Sequence, residues 1–200
     1  MNRWFTLLVL AIALYGGWSW LQARPIPRPY GVIAPDDPAQ TIFDTPQSPI
    51  EFKDATLHPL AKFEVTARVL SRDDYHFDPE SDISPTDLAL GWGRMSDSAV
   101  LRTIDIDQGG RFYSWQVHEF PIPRREIETH SANMHMVPAD TTVARALKRV
   151  RVGDVVTLKG YLIEADKSGG WKWRSSMTRD DTGDGACELV YVRDLSIAAR

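Results

Sequence analysis

Val152-Gly153-Asp154-Val155-Val156-Thr157-Leu158-Lys159-Gly160-Tyr161-Leu162 opens on a Gly-Asp turn and then alternates. Val156, Leu158 and Leu162 fall on one face, Thr157, Lys159 and Tyr161 on the other. That two-residue period is a strand half-buried against a core. Gly160 lies inside the run, where glycine permits the bulge or bend that closing a small barrel requires. The stretch predicts a sharply curved strand.

Working outward, Lys62-Phe63-Glu64-Val65-Thr66-Ala67-Arg68-Val69 alternates without a break and predicts another half-buried strand. Thr103 to Asp107 and Phe112 to Val117 alternate on either side of Gln108-Gly109-Gly110-Arg111, a hairpin with a glycine turn. Asp140 caps a predicted helix carrying Val143, Ala144, Leu147 and Val150 at helical spacing, with Arg145, Lys148 and Arg149 on its other face. Trp171 to Ser175 and Glu188 to Arg193 supply the last strands. In the acidic stretch 73–87, Ser84-Pro85-Thr86-Asp87 reads as a helix start, and Gly91 as the stop of that helix.

The order strand, hairpin, helix, strand, strand, with the helix between the third and fourth strands, resembles the OB-fold. The V-x-V-G-D-x-V-x-L-x-G-x-L run is similar to the fourth strand of that fold. The resemblance covers roughly residues 60 to 195 and implies a mainly β domain with short helices (α+β), an OB-like small β-barrel, interrupted by insertions at 72–101 and 118–139. The chain also resembles a family of uncharacterised membrane-anchored bacterial proteins with LALGWG, HSANMH and GACE segments, which implies no activity.

At the other end, residues 4–23, WFTLLVLAIALYGGWSWLQA, contain no charge. As a helix with ~1.5 Å rise per residue they would reach about 30 Å, the thickness of a bilayer's hydrocarbon core. Trp4 and Phe5 at one end, and Tyr15, Trp18 and Trp20 towards the other, suit the headgroup boundary. Residues 1–23 are therefore expected to be a transmembrane signal anchor. A cleaved signal peptide is the alternative: Leu7 to Leu14 has the length of its apolar centre, and Ser19 preceded by Gly17 fits a cleavage site. A short N-terminal tail favours a single-pass inner-membrane protein with its body in the periplasm, although Arg3 on one side and Arg24 and Arg28 on the other nearly balance the charge rule.

Residues 24–51 hold seven of the thirteen prolines and predict an extended linker, a spacer between membrane and domain. The domain itself is expected over 52–200. Beyond residue 24 the chain has 21 basic against 27 acidic side chains, which argues against non-specific nucleic-acid binding. Cys187 is the only cysteine, so no intrachain disulfide forms.

Four constellations carry possible chemistry. His130, Asn133 and His135 can supply metal ligands or an acid–base pair. Regular structure separates the two histidines, since a strand puts them on opposite faces and a helix sets them about 140° apart. A scaffold role is the favoured reading. Cys187 is a candidate nucleophile beside a histidine, or a small core residue. Asp180, Asp181, Asp184 and Glu188 are candidate oxygen ligands for a cation, or the residues of an ordinary hairpin connection. Trp92, Tyr113, Trp115, Trp171 and Trp173, with Arg174 or Arg111 adding hydrogen bonds, are candidates for a binding surface. No cofactor motif is present. The expectation is a membrane-tethered envelope module that binds a protein or saccharide partner without catalysis. The alternative is a hydrolase built from His130, His135 and Cys187 or the 180–184 loop.

Overall fold

A computed structural model describes residues 3–179 and 186–200. The chain forms α1 (Arg3–Ala23), β1 (Ala39–Ile42), β2 (Ile50–Phe52), β3 (Ala55–Asp74), β4 (Thr86–Gly91), α2 (Ser98–Leu101), β5 (Ile104–Gly109) and β6 (Phe112–Val117). It continues with α3 (Arg124–Thr129), β7 (Ser131–Pro138), α4 (Thr141–Leu147), β8 (Val155–Lys167), β9 (Lys172–Arg174) and β10 (Glu188–Ile197). The fold is mainly β with few short helices. Among the described residues no helix is long and apolar enough to cross a membrane. Trp4, Phe5, Leu8, Ile12 and Leu14 of α1 are nonetheless exposed rather than packed on the domain.

β3 is the organising strand. Its burial alternates over most of its length, as the alternation of apolar residues requires, and register shifts at Pro59/Ala61 and Val69/Ser71 bend it. Pro59 sits at one of those irregularities, where a missing N–H costs no ladder bond. The stretch from Ala55 to Arg68 pairs antiparallel with β8, and Arg68 to Asp74 pairs antiparallel with β4. β4 pairs with β7, β7 runs parallel to β10, and β10 pairs antiparallel with β8. Following these pairings leads back to β3.

The inner face of this ring of pairings is the main core. Phe63, Val65, Leu88, Leu90, Met134, Met136, Leu158, Leu162 and Val190 fill it, with Val143 and Leu147 of α4. α4 lies between β7 and β8, and Asp140 caps it as expected, its side chain accepting from the amides of Thr142 and Val143. Gly160 is required by a close approach: a Cβ there would lie 1.9 Å from the Tyr191 carbonyl oxygen, beside the β8–β10 register shift.

Three expectations change. Ser84-Pro85-Thr86-Asp87 begins no helix; residues 86–91 form β4, buried on both faces at all six positions. A strand covered on both sides has no solvent-exposed face to mark a period, so periodicity could not separate it from a buried helix. The proposed insertions at 72–101 and 118–139 carry β4 and β7, which are central strands. Residues 24–51 are extended, yet they are not a free spacer. Ile26 donates to Val152, Gly93 donates to Ala34, Phe43 donates to Leu60, and β1 and β2 both pair with β3. The segment is a belt, and the folded body begins well before Phe52.

Candidate functional site

β4 and β7 place Asp87 opposite His135 and Ala89 opposite Asn133. These positions alternate with the core residues Leu88, Met134 and Met136, so their side chains lie on the outer face of the pair. An outward-facing polar strand surface ordinarily meets water. Here the β5–β6 hairpin and the 75–85 segment cover it.

The tip of the hairpin supplies the plug. Arg111 has φ +72°, a left-handed conformation that closes the turn and leaves its side chain over the β4–β7 face. Nη1 donates to Asp87 Oδ1 at 3.0 Å and to the Ser84 carbonyl at 2.8 Å, and Nη2 donates to Asp78 Oδ1 at 2.6 Å. The guanidinium carbon stands 3.8 Å from the centre of the Tyr75 ring, while the Tyr75 hydroxyl accepts from the Arg111 amide. Asp87 is fully buried, and its second oxygen lies 2.9 Å from Nδ1 of His135. The guanidinium compensates one oxygen of this buried carboxylate; the other oxygen and His135 Nδ1 are buried side by side without a hydrogen bond. The His135 ring packs 4.6 Å from that of Trp173.

The hairpin tip also satisfies its neighbours through backbone. The Arg111 carbonyl accepts from Asn133 Nδ2 at 3.1 Å, and Gln108 Nε2 donates to Asn133 Oδ1 at 2.7 Å. Burial would raise the Asp78 carboxyl, but the hydrogen bond and charge of Arg111 outweigh it and hold the group below its ordinary value. Burial pushes the Tyr113 hydroxyl up to about 12, against a hydrogen bond to Ser131 at 2.9 Å.

Two openings flank this network. A 280 Å³ cavity is lined by Glu80, Phe112, His135, Trp171, Trp173 and Cys187, with Arg111, Lys172 and Arg174 around it. A 690 Å³ cleft is lined by Tyr113, Trp115, Phe120, Asn133 and Glu188 among others. Phe112 and Cys187 belong to both, so the two adjoin.

The sequence candidates separate accordingly. Trp171, Trp173, Tyr113 and Trp115 are half-buried and line the two openings. Trp92 does not belong with them: it is 1% exposed in the inner core, its indole N–H bonded to Asp37 at 3.0 Å. Arg174 lines the small cavity while bonded to Glu164 at 2.7 Å. His130 and His135 do not meet. Gly91–Ser131 and Asp87–His135 are registered pairs four residues apart, about 13 Å along a strand. His130 instead lies beside Trp92, with Nε2 3.6 Å from Asp37 and Nδ1 within reach of Thr129 and the Glu126 carbonyl. Cys187 Sγ is 3.6 Å from Asn133 Nδ2 and 3.8 Å from the Arg111 carbonyl.

Glu188 is buried with Arg179 at 2.8 Å, an ion pair rather than an open carboxylate. Asp180, Asp181 and Asp184 lie outside the described residues. Among the described residues no group of three or more His, Cys, Asp or Glu side chains could hold a metal ion. Sequence reasoning missed Asp87, Asp78 and Tyr75. The only signal was an arginine at the tip of a glycine turn in a chain whose 73–87 stretch is acidic.

No protein-family model matches the chain, and no curated protein or solved structure matches it either.

Proposed function

We propose that this chain is a membrane-tethered, non-catalytic binding module of the bacterial envelope, built on an OB-like barrel, with α1 as its anchor and its body in the periplasm. The order β3-β4-β7-β10-β8, the parallel pair β7–β10 and the placement of α4 between β7 and β8 support the OB-like reading. In such barrels the second and third strands, flanked by the loops joining strands one to two and four to five, take the ligand. Those parts correspond here to β4 and β7, to 75–85 and, among the described residues, to 168–179 and 186–187.

The observation that carries the proposal is that half-buried Trp171 and Trp173 line a cavity on this face beside Glu80, Lys172 and Arg174. Flat rings edged by hydrogen-bonding groups suit a saccharide, whose C–H faces stack while its hydroxyls bond. The net negative charge of the body disfavours nucleic acid. The test is a fluorescence titration of the full chain in phospholipid nanodiscs with an N-acetylglucosamine oligomer. A saturable change, lost in Trp171→Ala, is expected. No change with the saccharide, but a saturable one with an envelope protein, would replace the ligand class and keep the face.

One observation favours a second reading as a hydrolase: His135, backed by Asp87, and Cys187 line the same cavity. Cleavage of activated esters abolished by both Cys187→Ser and His135→Ala would put that reading first.

A further inference from the structure

Every residue of β6, from Phe112 to Val117, lines the 690 Å³ cleft. Side chains leave a strand from alternate faces, so one opening touches them all only by running along the strand's edge. That edge is the one turned away from β5, the strand with which β6 pairs. The turn fixes which groups face it. Gly110 and Arg111 both have positive φ, +57° and +72°, which makes Gly109 and Phe112 the hydrogen-bonded pair closing a two-residue hairpin. Bonding alternates from there. Phe112, Ser114 and Gln116 turn their amides to β5, while Tyr113, Trp115 and Val117 turn amide and carbonyl into the cleft. Among the described residues no backbone group of another segment bonds to these outward groups.

Open edges are ordinarily blunted by shortness, charge, proline or a bulge. Elsewhere in this chain they are. β1, β2 and β9 are three or four residues long, β9 carries Lys172 and Arg174, and β5 carries Asp105 and Asp107. β6 has none of these devices: its sequence FYSWQV holds no charge and no proline, and its register with β5 is unbroken. The charges around the cleft are matched within it, Arg124 with Glu128 at 2.8 Å and Arg179 with Glu188 at 2.8 Å, so they favour an uncharged occupant. Trp115 and Phe120, ring centres 6.2 Å apart, add an apolar lining.

We infer that β6 takes an extended, uncharged segment of a partner protein as a third strand beside the hairpin, hydrogen-bonded to Tyr113, Trp115 and Val117. The backbone of the segment supplies the attraction, and apolar side chains at alternate positions enter the cleft. The site is separate from the saccharide cavity, which rests on Trp171 and Trp173 rather than on a strand edge.

The test is fluorescence anisotropy of the full chain in phospholipid nanodiscs with labelled short peptides that alternate threonine with valine, leucine or phenylalanine. Saturable binding of at least one is expected, with slower hydrogen exchange over 112–117 and no loss in about 0.5 M salt, where charges are screened. A paired strand turns one set of alternate amides to β6 and the other away. Of two versions of the bound peptide, each N-methylated on one set, one should therefore bind and the other should not. Val117→Pro deletes a cleft-facing amide that β5 does not use, and should weaken binding about tenfold. No binding by any of the peptides at about 1 mM, the weak end of specific recognition, overturns the inference. Equal binding of both methylated versions overturns it too, because side chains alone would then hold the peptide. If 112–117 is protected without peptide, in a dimer that Val117→Pro dissociates, a second copy occupies the edge and the partner segment is ruled out.

Discussion

The two faces of the β4–β7 pair are both buried, yet by different chemistry. The inner face packs Leu88, Leu90, Met134 and Met136 against the other strands, with Thr86 at its end bonded to Asp74. The outer face carries Asp87, Asn133 and His135, and is closed by one guanidinium and the backbone of a hairpin tip. Packing alone accounts for the inner face. The outer face costs desolvation of a carboxylate, and an apolar surface of the same shape would serve stability as well or better. The difference marks the outer face as the one shaped by something other than folding.

The largest effect should come from removing the plug. Arg111→Ala leaves Asp87 buried without the guanidinium that bonds it, so a loss of about 3–5 kcal/mol is expected by urea unfolding. Leu88→Ala on the inner face should cost about 2–5 kcal/mol by cavity formation. The two can be told apart. Adding Asp87→Leu to Arg111→Met should restore much of the stability on the outer face, and no charge change can do so for Leu88. If the double variant stays as unstable as Arg111→Ala, the outer face is held by shape rather than by charge.

A smaller effect tests the curvature that presents both faces. Gly160→Val must push the Tyr191 carbonyl away, since even a Cβ would sit 1.9 Å from that oxygen. A destabilisation of about 1–3 kcal/mol is expected. An unchanged unfolding midpoint would mean that β8 and β10 separate there at no cost.

The smallest effect is one of pH. Asp78 titrates below its ordinary value in the fold because Arg111 outweighs its burial. A group with a depressed folded pKa contributes stability that is complete above its unfolded value, about 3.9, and is lost as pH falls through the folded one. Unfolding midpoints should therefore drop below about pH 4, and Asp78→Asn should flatten that drop while lowering the midpoint at pH 7. An acid profile unaltered by Asp78→Asn would separate Asp78 from the plug.

Much of the fold was legible because several of its strands alternate. Lys62 to Val69, Phe112 to Val117 and the run from Val155 each face water on one side, and Asp140 announces α4 by its side chain. β4 was not legible, since a strand buried on both faces shows no period and Ser84-Pro85-Thr86-Asp87 imitates a helix cap. β7 did alternate, Asn133 and His135 against Met134 and Met136. Its residues read as part of an insertion because nothing local reveals that a hairpin will bury its polar face. The belt was obscured by its prolines, although Ile26 and Phe43 keep the amides that tie it down. The site lay beyond local pattern altogether: Arg111 meets Asp78 and Asp87 from more than 20 residues away.

The tryptophan indole resonances test the central claim most directly. Trp92 belongs to the core and is 1% exposed, whereas Trp171 and Trp173 line the outer cavity. In a titration of the full chain with an N-acetylglucosamine oligomer, the indole N–H signals of Trp171 and Trp173 should shift with one saturating curve while that of Trp92 stays fixed. Shifts at Trp92 with Trp171 and Trp173 unmoved would contradict the assignment of the outer β4–β7 surface as the ligand face.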